Sequence, residues 1–233
     1  MGTIKKCYHI LNLFCLSIAY AIWPENVKLT FKFADHLIGL GAYREIERVL
    51  TSDPETRELI RKRHAIQAIH LSELGRLPKT TLGRQFADHM IDNELDPNFY
   101  PPVKIVSDRH YVLQRIRSMH DILHIVTGFD TSENGEVSLQ SFLTAQIASP
   151  FSMMVVGGFI FFFPFKTRQD SFAARMDGIV EGWRMGRLAK PVFNYDWNKA
   201  WSKPLDQVRA ELGIQPRPAT IATGHHVNAP MDV

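Results

Sequence analysis

Apolar residues recur at helical rather than alternating spacing along most of the chain, which predicts a protein built from helices. Between Val27 and Ile66 they return every three to four positions, and only Gly39 and Gly41 interrupt the pattern briefly. The 233 residues, 45% of them hydrophobic, are enough to bury one sizeable core. We therefore expect an all-α, single-domain helical bundle.

Capping and breaking residues divide this pattern into separate helices. The tripeptide Ser52-Asp53-Pro54 is typical of a helix start with a cap and a proline in the first turn. A second helix is predicted from about Leu82 to Asn93. The best delimited helix begins with a cap at residue 107 or 108 and ends at Gly128, and another is expected to open near Glu136.

Two apolar runs raise the question of a membrane segment. The run from Tyr8 to Trp23 follows two lysines and superficially resembles a signal peptide or a short anchor, but its length and polar residues favour a core helix. The run at residues 150–167 is too short and too interrupted to span a bilayer. We expect an apolar N-terminal segment at residues 1–24, a helical domain at 25–214 and a disordered tail at 215–233.

Charge and cysteine content narrow the function further. A formal net charge of +3 without a dense basic tract argues against nucleic acid as a partner. Cys7 and Cys15 both lie near the start of the chain, so they cannot supply a disulfide framework or a metal knuckle for the rest of it. The body of the protein suits a reducing compartment.

Polar side chains form a narrow stripe on the helix that ends at Gly128. Each helical residue advances about 100°, which places Arg117, Asp121 and His124 within about 100° of His120. Apolar residues surround this stripe, so the helix is expected to be buried nearly all round. A buried carboxylate is unfavourable by several kcal/mol unless it is paired or bound to a metal, so Asp121 needs a partner.

Two explanations satisfy this requirement. Arg117 can pair with Asp121 at i,i+4 while the histidines form ordinary hydrogen bonds. Alternatively, His120, Asp121, His124 and the later Glu136 bind one metal ion, which we favour for the whole set. Two nitrogens and two oxygens fit Zn²⁺, with Mg²⁺, Mn²⁺ and Fe²⁺ as alternatives, and Asp121 and Glu136 are also the candidate catalytic groups.

The pattern H-D-x2-H-x11-E from His120 to Glu136 resembles the metal motif of the coenzyme Q biosynthesis protein 4 family. The likeness continues in LPKTTLGRQFADHM (Leu77–Met90), in YVLQRIRSMHDILHIVTGF (Tyr111–Phe129) and in the block Gly182–Ile214, in family order. It covers most of residues 25–214.

The resemblance implies a helical, peripherally membrane-bound component of ubiquinone biosynthesis. The resemblance also implies oxidative decarboxylation at C1 of a prenylated aromatic precursor, organisation of the other quinone biosynthesis enzymes, and a metal that acts as a Lewis acid on the head group. Arg115 and Arg117 are candidates for binding that head group. The polyprenyl tail or the membrane surface is expected to meet four apolar residues, for which core packing is the alternative: Met153, Met154, Phe159 and Phe161.

The chain also departs from the family pattern. It reads VSLQSF after Glu136, where a bulkier, partly basic and aromatic segment is expected, and it shows no Arg/Ser-rich transit peptide. The first feature indicates a head-group pocket that differs from the family's. The second predicts a bacterial-like or plastid-like protein, peripheral to the cytoplasmic side of the membrane.

Three functions stay open. The chain is a metal-dependent enzyme acting on a prenylated aromatic compound, a non-catalytic prenyl-lipid-binding scaffold for a quinone biosynthesis complex, or a metal phosphohydrolase acting on a prenyl phosphate. Exposed apolar segments also favour a homo-oligomer.

Overall fold

A computed structural model describes residues 2–22, 28–67, 70–97, 104–161 and 172–217. In these ranges the chain is helical, with one isolated β-bridge between Thr81 and Pro204 and one short 3-10 helix at Trp197–Lys199. The all-α, single-domain prediction is confirmed. The α-helices are α1 (Thr3–Ile22), α2 (Lys28–Leu40), α3 (Tyr43–Leu50), α4 (Pro54–Lys62), α5 (Leu71–Leu74), α6 (Leu82–Asp92), α7 (Asp108–Thr127), α8 (Glu133–Ile147), α9 (Pro150–Phe161), α10 (Phe172–Leu188) and α11 (Leu205–Leu212).

The helix α7 lies at the centre of the bundle and packs against α3, α4, α6, α8 and α11. Fully burying one apolar side chain of this size stabilises the fold by about 1.5–3 kcal/mol, so α7 contributes a large part of the core energy. Four apolar side chains of its second half have no exposed surface: Met119, Ile122, Leu123 and Val126.

The predicted helix starts are confirmed where a side chain caps the first turn. Asp53 accepts the Thr56 N–H at 2.8 Å ahead of Pro54, and Thr81 accepts the Arg84 N–H at 3.3 Å ahead of α6. Each cap satisfies an amide that has no partner within the helix. The helix α6 ends at Asp92, one residue before the predicted end.

The end of α7 at Gly128 is also confirmed. Gly128 has a left-handed φ of 77°, and a Cβ there would lie 2.7 Å from the carbonyl oxygen of Arg217. Glycine is therefore required both by conformation and by space. The Arg217 N–H donates to the Thr127 carbonyl at 2.9 Å, so the chain lies against α7 at this point. The rest of the predicted disordered tail lies outside the described residues.

The helix α8 begins at Glu133, three residues before the predicted start near Glu136. Asp130 accepts the Ser132 N–H at 3.0 Å, and Ser132 in turn accepts the Gly135 N–H at 3.2 Å, so the loop closes into a cap earlier than expected. Glu136 consequently lies in the first turn of α8, where the helix dipole favours a carboxylate.

Glycines allow α10 to approach α8 at backbone distance. Gly178, Gly182 and Gly186 are spaced four residues apart and so lie on one face of α10. A Cβ on Gly182 would overlap the carbonyl oxygen of Ser138, and one on Gly186 would lie 2.6 Å from that of Phe142. The close contact holds α8, and with it Glu136, in a fixed position.

The N-terminal helix α1 packs against α2, with Leu13 buried between them and most of its other apolar side chains in solvent. The interpretation of this segment as a core helix is therefore wrong for most of its surface, because most of its large apolar side chains are exposed. Five large apolar side chains of α1 are more than half exposed: Ile4, Tyr8, Ile10, Leu11 and Phe14. No helix in the described ranges combines the length and apolar character needed to cross a membrane.

Candidate metal centre

Three predicted ligands meet where the second half of α7 faces the first turn of α8. The Nε2 atom of His124 lies 3.3 Å from Nε2 of His120 and 3.1 Å from Oε1 of Glu136. The Nε2 atom of His120 lies 3.5 Å from Oε2 of Glu136. Within the described part of the chain, this is the one group of three or more such side chains whose potential ligand atoms lie within 4.8 Å of one another.

The backbone fixes the orientation of the buried His124 ring. Its Nδ1 atom lies 2.8 Å from the carbonyl oxygen of Phe129, the first residue after the Gly128 turn. A carbonyl oxygen only accepts, so Nδ1 of His124 donates to it and Nε2 is the ring nitrogen left to bind an ion. The Nε2 atom faces His120 and Glu136. Histidine ligands of metals usually donate their second ring nitrogen in this way.

Electrostatic interactions within the group shift the pKa values of His120 and Glu136. Burial alone would lower the pKa of His120, but the Glu136 carboxylate, through its charge and a hydrogen bond, raises it to about 9, with a smaller effect of Asp121. Burial would likewise raise the pKa of Glu136, but charge and hydrogen bonding from His120, with help from His124, hold it below its usual range. A divalent cation bound to these atoms would take the place of the proton on His120.

The chemistry of the three side chains fits a small divalent ion. Atoms bound at about 2.0–2.1 Å around a tetrahedral ion are separated by roughly 3.3 Å, which agrees with the separations in this group. Two imidazoles and one carboxylate are the ligand set of catalytic zinc sites and of non-haem iron(II) sites. His120, His124 and Glu136 could therefore hold either ion.

Asp121, the fourth predicted ligand, is not a member of this group. One helical residue beyond His120, its side chain is turned by about 100°. Its negative charge acts on the pKa of His120 and of His89, which places Asp121 at the side of the group that faces α6. The structure thus brings together three of the four predicted ligands.

The two arginines that precede the motif lie in different surroundings. Arg115 is buried, and its guanidinium donates to the carbonyl oxygens of His64 and Tyr195 at 3.1 and 2.9 Å and also to that of Phe193. These bonds hold two loops against α7, and a role of Arg115 in binding a head group stays a prediction. Arg117 is half-buried and lies close enough to the buried Tyr43 hydroxyl to influence its pKa.

The four residues predicted to meet the prenyl tail lie on α9, which packs against α8 and α2. Met153 and Phe161 are exposed, and Met154 packs against the core. The half-buried Phe159 ring lies 4.9 Å from the guanidinium carbon of Arg175 on α10. Their role in lipid binding stays a prediction.

We call the cluster of His120, His124 and Glu136 the metal group. His89 of α6 lies beside it, although the sequence did not single this residue out. Its ring and that of His124 have centroids 6.3 Å apart and planes inclined by only 21°. The contact joins two helices, and nothing in the spacing of the histidines along the chain indicates it.

The chain is an all-α bundle whose central helix carries a histidine pair. A glutamate from the next helix completes this pair, so the fold and the site together define a helical protein with a candidate metal centre. The profile of the family described as "Coenzyme Q (ubiquinone) biosynthesis protein Coq4" matches residues 6–218. The chain belongs to this family, which confirms the resemblance seen in the motifs.

Individual relatives agree with this assignment. The "Ubiquinone biosynthesis protein COQ4 homolog, mitochondrial" of Rattus norvegicus is 33% identical over 178 residues, 74% of this chain and 65% of the relative. The "Ubiquinone biosynthesis protein COQ4, mitochondrial" of Meyerozyma guilliermondii is 28% identical over 208 residues, 87% of this chain and 65% of the relative. The chain thus spans 65% of the length of each of these relatives.

A solved structure supports the fold. The crystal structure of a candidate ubiquinone biosynthesis protein from Nostoc punctiforme superimposes on this chain with a TM-score of 0.81 at 28% identity. The match covers 91% of this chain and 99% of that one.

The predicted location was wrong. We expected a bacterial-like protein on the cytoplasmic side of a membrane, whereas the relatives from rat and from Meyerozyma guilliermondii are named as mitochondrial proteins. The expectation depended on the lack of a transit-peptide pattern in the first residues, and such a lack is not evidence for a bacterial setting.

Proposed function

We propose that this chain acts in ubiquinone biosynthesis and binds a polyprenylated aromatic compound beside a divalent ion held by His120, His124 and Glu136. One observation carries the proposal. Three protein ligands converge, and no fourth histidine, cysteine or carboxylate joins them within the described residues. Catalytic zinc sites use three protein ligands and keep one position for water or substrate, whereas structural sites use four.

Family membership supports the pathway. The relatives from rat and Meyerozyma guilliermondii are named for ubiquinone biosynthesis, and the match includes all three residues of the metal group. We extend the role of the family to this chain on that basis.

The reaction that we propose is oxidative decarboxylation at C1 of a prenylated hydroxybenzoate. The bond between C1 and the carboxyl carbon breaks and CO₂ leaves, while water supplies the oxygen of the new C1 hydroxyl group. Two electrons and two protons pass to dioxygen, which leaves as hydrogen peroxide. A bound ion supplies Lewis-acid polarisation of the head group and, where the ion is iron, redox chemistry.

The protein's own residues divide the remaining tasks. His124, fixed by the Phe129 carbonyl, and Glu136, fixed in the first turn of α8, hold the ion together with His120. Asp121 lies beside the group without belonging to it, so we assign it as the base that accepts a proton from the substrate or from water. Arg117 remains the candidate for the substrate carboxylate.

A non-catalytic scaffold is the second candidate, and the exposed apolar face of α1 favours it. Ile4 and Phe14 are 87% and 65% exposed, and Phe161 at the end of α9 is 69% exposed. Such surfaces commonly mark contacts with other proteins or with lipid. In this case the chain would present a prenyl lipid to other quinone biosynthesis enzymes, at a membrane surface or as a homo-oligomer.

One pair of measurements separates the candidates. We expect about one divalent ion per chain by elemental analysis of the full chain, and its loss from His124→Ala but not from the control His70→Ala, which changes an exposed histidine. With a carboxyl-labelled prenylated hydroxybenzoate under air, the protein loaded with iron or zinc should release labelled CO₂. Metal retained by His124→Ala would contradict the site. Bound metal and lipid without CO₂ release would favour the scaffold.

A further inference from the structure

His89 is half-buried and lies beside the metal group. It lies on α6, whose neighbouring residues Phe86 and Met90 are both 1% exposed. Its ring faces that of His124, and its pKa is lowered by burial and by His124, whereas Asp121 and Asp92 oppose this shift. His89 therefore lines the side of the group on which Asp121 also lies.

Hydrogen bonding at the other end of the ring fixes the tautomer of His89. The side-chain amide nitrogen of Asn93 donates to the His89 carbonyl oxygen at 2.8 Å, which identifies that atom as the NH₂ group. The same nitrogen lies 3.4 Å from Nδ1 of His89. Since an NH₂ group only donates here, Nδ1 is the acceptor and the proton of the neutral ring is on Nε2.

The proton on Nε2 has no acceptor among the residues that the structure describes. The Nε2 atom of His89 is buried and lacks a hydrogen-bond partner among the described residues. Native proteins contain few such groups, and each one calls for an explanation such as a catalytic role, a water molecule or an ion. The atom is oriented by Asn93 from within the same helix turn, so the donor is fixed in place before a ligand binds.

We infer that His89 donates a hydrogen bond from Nε2 to an oxygen of the ligand that binds beside His120, His124 and Glu136. The inference rests on the proposed function and identifies the ligand more closely. A neutral donor in a buried site selects an acceptor oxygen, which the carboxylate and the phenolic oxygen of a hydroxybenzoate both offer. An entirely apolar ligand would leave the donor unsatisfied and bind more weakly.

Three substitutions of His89 separate the donor from the ring. Phe keeps the flat ring and removes the N–H group. Gln places its amide nitrogen near the position of Nε2, whereas Asn places it near that of Nδ1. His70→Phe, the same change at an exposed histidine, is the matched control.

The probe is 3-prenyl-4-hydroxybenzoate, titrated calorimetrically into the metal-loaded full chain. We expect His89→Phe to weaken binding about tenfold, His89→Gln to recover most of the loss, and His89→Asn to recover little. Metal content should be the same in all variants, because His89 is not a ligand in the group. His70→Phe should bind the probe like the unchanged protein.

The outcomes are distinguishable. If the unchanged protein does not bind the probe, the proposed function fails and the inference fails with it. If it binds and His89→Phe binds equally well, or if His89→Phe loses the metal, only the inference about His89 is overturned. Nitrogen-15 NMR of the unchanged protein provides a test that needs no variant, because a proton on Nδ1 instead of Nε2 would also overturn it.

Discussion

The fold brings two histidines together in two places, and the neighbours of the two pairs differ. In the central pair, His120 and His124 approach with Nε2 atoms 3.3 Å apart, and Glu136 lies 3.1 Å from His124. In the N-terminal pair, His9 of α1 and His36 of α2 approach with Nδ1 atoms 3.0 Å apart. Within the described residues, no carboxylate joins the second pair at ligand distance.

The missing carboxylate reverses the electrostatics of the N-terminal pair. Burial lowers the pKa of His36 and the charge of His9 lowers it further, while Asp35 has a smaller, opposing effect. At His120, by contrast, Glu136 outweighs burial and raises the pKa to about 9. The two pairs therefore differ in charge: the Glu136 carboxylate compensates positive charge at the central pair, and within the described residues no carboxylate lies at ligand distance from the N-terminal pair.

The two regions also differ in how tightly their helices pack. Gly182 lets α10 meet the backbone of α8 at Ser138, whereas Gly39 in α2 makes room for the imidazole ring of His9. A backbone carbonyl in a helix cannot move aside, but an imidazole ring at the surface can rotate. Close backbone packing between α8 and α10 therefore fixes the position of the metal group. The N-terminal pair depends instead on a side-chain contact that can rearrange.

The largest expected effect is on metal affinity. Glu136→Gln keeps the shape of the side chain but removes the charge that compensates the ion, so affinity should fall by at least about a hundredfold, more than loss of a supporting residue usually costs. The matched change in the other pair, His36→Gln, should leave affinity unchanged. Competition titration with a chromogenic chelator measures both. Equal losses in the two variants would show that the N-terminal pair binds the metal as well.

The next effect is on stability. Gly182→Ala should destabilise the protein by about 3 kcal/mol or more, because the new methyl group meets backbone atoms that cannot relax. Gly39→Ala should change stability by less than about 1 kcal/mol, since rotation of His9 is offset by the better helix propensity of alanine. Urea unfolding followed by circular dichroism measures both values. A small effect of Gly182→Ala would mean that α8 and α10 can separate easily, and the rigid-packing argument would fail.

The sequence predicted the central region well because local rules govern it. Gly128 and the cap at residue 107 delimit α7, and i,i+4 spacing places His120 and His124 on one face. Glu136 follows after a turn too short to carry it elsewhere. These features depend on residues that are close together in the sequence, so the sequence alone predicts them.

The sequence does not show which contacts form between distant segments or which atoms meet on one face of a helix. Arg115 looks like a free cation in the sequence, but loops almost 80 residues away supply the carbonyl oxygens that it binds. His89 reaches the metal group only because α6 packs on α7. Asp121 shares the polar stripe, yet its rotation of about 100° from His120 leaves it beside the ligand group. Helical spacing predicts which residues share one face of a helix, but not which of their side-chain atoms meet.

The smallest effect is the pH dependence of stability after removal of metal by a chelator. His120 has a pKa of about 9 in the folded chain, above the ordinary value of 6.5, so its contribution is complete below pH 6.5 and is lost as the pH rises through about 9. His36 has a lowered pKa, so the unfolded chain binds its proton more readily and stability falls as the pH decreases below 6.5.

The two histidine pairs should therefore limit stability from opposite sides. Glu136→Gln should flatten the alkaline side of the profile, and His36→Gln the acidic side, in urea unfolding measured from pH 5 to pH 10. Histidine NMR titration of the same protein should give His120 the highest pKa and place His36 below 6.5. If both histidines titrated near pH 6.5, the effects assigned to Glu136 and to His9 would be absent. The two pairs would then differ in geometry but not in electrostatics.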